Sequence, residues 1–133
     1  MKVVFDTNVL ISSTIFDKSE AQKLLFKLIQ LEIPIFSSTQ ILEEYQNVLK
    51  RDFKYSDEET ANITKKMLSF LTLVESNQKI NLIEEDPDDN KIIECAVASN
   101  SDFIATYDPH LIKIKKYCEI RIITPTDMRR LLK

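Results

Sequence analysis

Asp6, Glu44, Asp89 and Asp108 are four carboxylates whose places along the chain suit a shared chemistry. Asp6 closes the apolar run Val3-Val4-Phe5, and Asp108 follows Phe103-Ile104-Ala105-Thr106-Tyr107. Both runs read as strands, and open α/β sheets bind their ligands beyond the carboxyl ends of the strands. Asp89 heads the i, i+3, i+4, i+7 series Asp89, Ile92, Ile93 and Ala96, which sets it on the buried stripe at the start of a helix. In the segment after Ser38, the residues Ile41, Leu42, Tyr45, Val48 and Leu49 form an apolar helix face. Glu44 lies about 100° from the centre of that face and Glu43 about 160°. Glu44 therefore reaches along the edge of the core, whereas Glu43 points to solvent. Taken singly, each acid has an ordinary explanation as a turn aspartate, a helix cap or an exposed helical glutamate. Gathered in one crevice they repel, raising their pKa values unless a divalent cation sits among them. Hard oxygen ligands, with no histidine cluster and no thiolate pair, select Mg²⁺ or Mn²⁺ over zinc. A cation so held can activate water for phosphodiester hydrolysis.

The elements that must position these acids alternate between strand and helix. Val3-Val4-Phe5 reads as a buried strand. From Ser19 to Leu31 the apolar residues recur at helical spacing behind a serine cap. Ile33 to Phe36 reads as a second strand, which Pro34 demotes toward an edge. Ser38 or Thr39 caps a helix to about Lys50, and Ser56 with Glu59 forms a capping-box signature for another reaching about Val74. Ile80 to Ile83 is an extended segment leading into the acidic loop Glu84-Glu85-Asp86-Pro87-Asp88-Asp89. Asp88 or Asp89 starts a helix through Ala98, and Phe103 to Thr106 makes a third strand. Leu111 to Lys116 holds a helical turn or two, Ile120 to Ile123 a fourth strand, and Thr126 or Asp127 opens a final short helix. Strands separated by helices predict a parallel sheet covered on both faces, an α/β layer architecture.

Composition removes several classes of function. The 133 residues fit one domain, and 44% hydrophobic with 29% charged residues is a globular composition rather than a disordered one. The absence of glycine excludes a Walker A loop and a dinucleotide fingerprint. His110, the single histidine, cannot make a multi-histidine zinc site, and Cys95 and Cys118 are too far apart for a CxxC motif. The two cysteines read as small hydrophobes in a reducing compartment. There is no basic N-terminal region followed by an apolar stretch and no apolar run near 18 residues, so the expectation is cytoplasmic, with no membrane insertion.

The net charge of −3 is unevenly spread. Residues 51–100 carry six basic and eleven acidic side chains, and residues 101–133 carry seven basic and four acidic. An acidic focus that holds a cation and a basic C-terminal region that attracts phosphates are compatible on one face. Solvated surface charge accounts equally well for the basic residues alone.

Asp6-Thr7-Asn8, Glu44 in Leu42-Glu43-Glu44-Tyr45-Gln46-Asn47-Val48-Leu49, Asp86-Pro87-Asp88-Asp89-Asn90-Lys91 and Ala105-Thr106-Tyr107-Asp108, in this order, resemble the PIN-domain family. The resemblance covers nearly the whole chain and is nearest to the branch of VapC-like toxins of prokaryotic toxin–antitoxin systems. It implies a single PIN-like domain over residues 1–133, folded as a three-layer α/β/α sandwich with a central parallel sheet. The implied activity is that of a Mg²⁺- or Mn²⁺-dependent endoribonuclease acting on single-stranded RNA, homodimeric and inhibited by a cognate antitoxin. By position, Asp6, Glu44, Asp89 and Asp108 match the metal-binding and catalytic acids. Asn8 matches a polar residue that orients the first acid, and Thr106 a hydroxyl that holds water or phosphate. Lys113, Lys115, Lys116 and Arg129 are the expected RNA backbone contacts. Tyr107 and His110 depart from relatives that carry a glycine and a further acid in those places.

Three other readings compete. A phosphatase of the haloacid dehalogenase type also places an aspartate after its first strand, but it needs a second aspartate where Asn8 stands. A receiver domain lacks its acidic pair here for a similar reason. A non-catalytic PIN-fold module binding RNA or a protein has no physical need for four clustered carboxylates.

Overall fold

In the computed structural model, residues 1–76, 79, 80, 82 and 89–132 are described. The elements run β1 (Val3–Phe5), α1 (Thr7–Ile15), α2 (Glu20–Gln30), β2 (Ile35–Ser37), α3 (Thr39–Asp52), α4 (Asp57–Leu68) and β3 (Leu71–Leu73). They continue with α5 (Asn90–Ser99), β4 (Phe103–Ala105), α6 (Pro109–Ile112), β5 (Lys116–Tyr117), β6 (Ile120–Ile123) and α7 (Pro125–Leu131).

Among the described residues, six strands form one sheet in the order β3-β2-β1-β4-β6-β5. Every pairing is parallel except β5 with β6, an antiparallel edge in which Lys116 faces Arg121 and Tyr117 faces Ile120. Val3, Val4 and Phe5 of central β1 are fully buried, as a strand covered on both faces requires. Helix α5 lies across β1, β2 and β4, while α1, α2 and α7 pack together. The central, mostly parallel sheet flanked by helices is the α/β arrangement expected from the alternation of elements.

Several local expectations need correction. Helix α1 occupies a stretch with no assigned element, because Val9, Leu10 and Ile11 are all buried and no polar face marks its period. Strand β2 is interior, since β3 pairs outside it and Pro34 lies just before the strand. There Pro34 needs no N–H, and its carbonyl accepts from Val3 N–H at 3.2 Å. Helix α4 stops at Leu68, and the residues read as its last turn form the edge strand β3. Lys116 belongs to β5 rather than to a helical turn. Helix α7 starts at Pro125 behind a Thr124 cap, slightly earlier than expected, and proline suits that first position. Cys95 is buried as a small hydrophobe, but Cys118 is exposed in the β5–β6 turn. The expected extended segment at Ile80 to Ile83 and the acidic loop at 84–88 lie largely outside the described residues. Ile80 N–H donates to Glu94 Oε2 at 2.9 Å and Leu82 N–H to Asn90 Oδ1 at 3.1 Å, fastening this part of the chain to α5.

Candidate active site

Parallel topology collects the acids at one end of the sheet. Asp6 ends β1 and Asp108 follows β4, the strand paired beside it, so both emerge at neighbouring carboxyl ends. Helix α5 runs back before β4, which puts its start, with Asp89, at the same end. Helix α3 enters after β2 and packs against α1, where buried Tyr45 Oη and Thr14 Oγ1 share a hydrogen bond of 2.8 Å. This anchor turns the adjacent Glu44 toward the crevice and leaves Glu43 exposed.

Asp6, Thr7, Asn8, Glu44, Val48, Arg51, Asp89, Ile92 and Asp108 line one open cleft of about 210 Å³. Asp6 is buried and caps α1, its Oδ1 accepting from Val9 N–H at 3.0 Å while Oδ2 accepts from the Thr106 hydroxyl. Thr106 Oγ1 in turn accepts from Asp108 N–H at 2.9 Å, so one buried hydroxyl ties the two strand-end acids together. Asp108 Oδ1 accepts from His110 N–H at 2.8 Å and caps α6. Glu44 receives the Thr7 hydroxyl on Oε1 and the Lys91 ammonium on Oε2, the latter at 2.9 Å. The Asp89 carboxylate does not cap α5, so capping does not explain its place there.

Burial pushes the Asp6 carboxyl up to about 6. The Asp108 charge adds to this rise, while the Thr106 hydroxyl and the Val9 and Asn8 backbone N–H groups pull in the opposite direction. A charged Asp6 is thus costly in the protein alone, and a cation in the cleft would favour its ionised form.

A family model for the PIN domain matches residues 2–110. The chain belongs to the PIN-domain family. Among solved structures, this PIN domain is similar to a chain in the structure of VapBC2 from Rickettsia felis bound to a DNA fragment from their promoter. The match has a TM-score of 0.66 and 18% identity, and it covers 92% of this chain and 97% of the other. At that identity the likeness concerns the fold. Among curated protein sequences none matches.

PIN domains are generally metal-dependent nucleases, and the donors of this PIN domain fit a hard divalent ion. Four carboxylates, the Thr7 hydroxyl and Asn8 meet in one polar cleft, and the donor atoms of Asp89, Asp108 and His110 lie within 4.8 Å of one another.

The other expected site residues fall less uniformly. Asn8 is exposed on the cleft wall, and its backbone N–H, rather than its amide, bears on Asp6. Thr106 is fully buried, and its hydroxyl serves Asp6 and Asp108 rather than facing a ligand. Lys113, Lys115 and Lys116 are exposed from the end of α6 into β5, with Lys116 Nζ 3.5 Å from Glu119. Arg129 is half-buried and paired with Glu20 of α2, so its guanidinium already has a carboxylate partner.

Thr7, Arg51 and Lys91 were not singled out from the sequence. Arg51 had a signal, since it stands seven residues after Glu44 and shares its helix face. Lys91 reaches Glu44 from another helix, which no local spacing reveals. Arg51 and Lys91 also line a second polar cavity, with Gln40, Glu43, Glu44, Asn47 and Val48, continuing outward from the acids.

Proposed function

We propose that this PIN domain is a divalent-metal-dependent endoribonuclease that hydrolyses phosphodiester bonds of single-stranded RNA, as the toxin component of a toxin–antitoxin pair. The observation that carries the reading is the convergence of Asp6, Glu44, Asp89 and Asp108 on one cleft at the carboxyl ends of β1 and β4. A toxin–antitoxin role draws support from the likeness to VapBC2, which makes an antitoxin the expected protein partner. A homodimer in the cytoplasm is the accompanying assembly and location. Among the described residues no helix is long and apolar enough to cross a membrane.

Asp6, Glu44, Asp89 and Asp108 would hold Mg²⁺ or Mn²⁺. A cation held there would supply a lowered pKa for water and stabilisation of charge on a phosphodiester. Thr106 and Val9 fix both oxygens of Asp6, which keeps that carboxylate aimed without reorganisation during the reaction. Thr7 and Lys91 do the same for Glu44. Arg51 stands on the cleft wall with its guanidinium paired to Asp52, Nε to Oδ1 at 2.8 Å and Nη2 to Oδ2 at 3.1 Å, so it reaches a phosphate oxygen only by loosening that pair. Lys113, Lys115 and Lys116 offer further backbone contacts, and Arg129 contributes only by leaving Glu20.

Cleavage of a mixed-sequence single-stranded RNA by purified protein, with Mn²⁺ or with EDTA, tests the reading. Cutting that needs the metal and disappears in Asp6→Asn supports it. A folded, metal-binding protein that leaves every RNA intact would favour a non-catalytic binding module instead. Within the same assay, Glu44→Gln is expected to lower the rate by about 10–100-fold, and Glu43→Gln to change it less than twofold. Equal losses in the two variants would overturn the assignment of Glu44.

A further inference from the structure

His110 is the only histidine of the chain, and a donor atom of its imidazole lies within 4.8 Å of carboxylate oxygens of both Asp89 and Asp108. These two acids belong to the cleft wall, so the ring stands beside that wall. His110 Nδ1 stands 3.7 Å from Asp108 Oδ1, and the His110 N–H donates to that same oxygen at 2.8 Å. The backbone bond locks the spacing of the two residues, while a side chain 42% exposed leaves the ring room to turn.

Bonds of about 2.1–2.2 Å in an octahedral shell put neighbouring donors about 3 Å apart and opposite donors about 4.3 Å apart. Donor atoms within 4.8 Å of one another lie a little outside that span, and a ring with room to turn can shorten the gap. Imidazole is a softer donor than carboxylate. Mg²⁺ binds poorly to nitrogen and demands near-ideal oxygen geometry, whereas Mn²⁺ accepts a mixed shell.

We propose that His110 is a ligand of the cleft cation, joining Asp89 and Asp108 through an imidazole nitrogen, and that it biases the site toward Mn²⁺ over Mg²⁺. This rests on the reading of the cleft as a divalent-metal centre. The exposed ring of His110 thus has a task distinct from that of the buried Asp6 and Thr106: it sets which ion is held.

The test uses tag-free protein, so that any imidazole signal comes from His110. Pulsed electron paramagnetic resonance of the Mn²⁺-loaded protein is expected to show nitrogen modulation from directly bound imidazole. The modulation disappears in His110→Asp, a replacement at a half-exposed position near a helix start where an acid is tolerated. Competition calorimetry is expected to show the ratio of Mn²⁺ to Mg²⁺ affinity falling about tenfold in that variant. Mn²⁺ bound to wild-type protein without nitrogen modulation would overturn ligation by His110 while leaving the metal centre standing. An unchanged affinity ratio would overturn its part in selectivity. No Mn²⁺ binding by either protein would overturn the metal centre itself.

Discussion

Replacing Asp6 with asparagine is expected to lower RNA cleavage on the order of 10³-fold or more while making the metal-free protein more stable at neutral pH. The two effects share one cause. Asparagine keeps the shape and the oxygen that accepts from Val9 N–H, so the cap of α1 survives. It removes a charge that burial makes unfavourable, the carboxyl being pushed from 3.8 to about 6. Because the folded state holds the proton more tightly than the unfolded one, the associated stability is fully present below pH 3.8 and is lost as pH rises through about 6. At neutral pH the loss is at most about 3 kcal/mol. Thermal melts of the metal-free proteins across this range check the sign. The variant should gain on the wild type as pH rises, and the gap should shrink when Mn²⁺ is added to both. A variant less stable than wild type at pH 7 without metal would show that the Asp6 charge supports the fold rather than opposing it.

Thr106→Val is the second large effect. Valine has nearly the shape of threonine, so the fully buried position stays filled. What disappears is the hydroxyl that donates to Asp6 Oδ2 and accepts from Asp108 N–H. Leaving those groups without it is expected to destabilise the protein by about 1–3 kcal/mol. Since the Thr106 bond lowers the Asp6 pKa, its loss raises that pKa further. Cleavage should fall about 10–100-fold, and the rising limb of the pH–rate profile should move to higher pH. Thr106→Ser, which restores a hydroxyl, should recover both rate and profile. A valine variant with the wild-type profile would show that Thr106 is only a packing residue.

The legible parts of this protein are those in which local pattern and tertiary role agree. Ser38 and the apolar series through Leu49 announce α3, and Val3-Val4-Phe5 announces a buried strand. The same helix face distinguishes exposed Glu43 from cleft-lining Glu44. Helix α1 was hidden because it is buried over consecutive positions, so its sequence Thr-Asn-Val-Leu-Ile-Ser-Ser-Thr-Ile lacks a helical period. Strand β3 was hidden by its three-residue length and its place immediately beyond a helix with a strong start signal. At the site, the position of each acid followed from its element. The bonds from Thr106, Thr7 and Lys91 did not, because each joins residues distant in sequence.

The glycine-free sequence gives the turns another significance. Lys18, Glu32, Lys54, Asn100, Lys115 and Cys118 all adopt left-handed backbone geometry. Glu32 and Asn100 close their helices with paired back-bonds, Ile33 N–H to Leu28 carbonyl and Ser101 N–H to Ala96 carbonyl, each at 2.9 Å. A side chain in this geometry costs about 1 kcal/mol in sterics, but glycine forfeits a comparable amount of chain entropy on folding. Exchange for glycine is therefore tolerated or mildly stabilising at such turns. In evolutionary terms these positions are open to drift, whereas the caps built from Asp6 and Asp108 are not, since there one carboxylate both caps a helix and faces the cleft. Sequence change in descendants of this chain should accordingly gather in the turns remote from the acids, leaving the strand-end carboxylates as the fixed points.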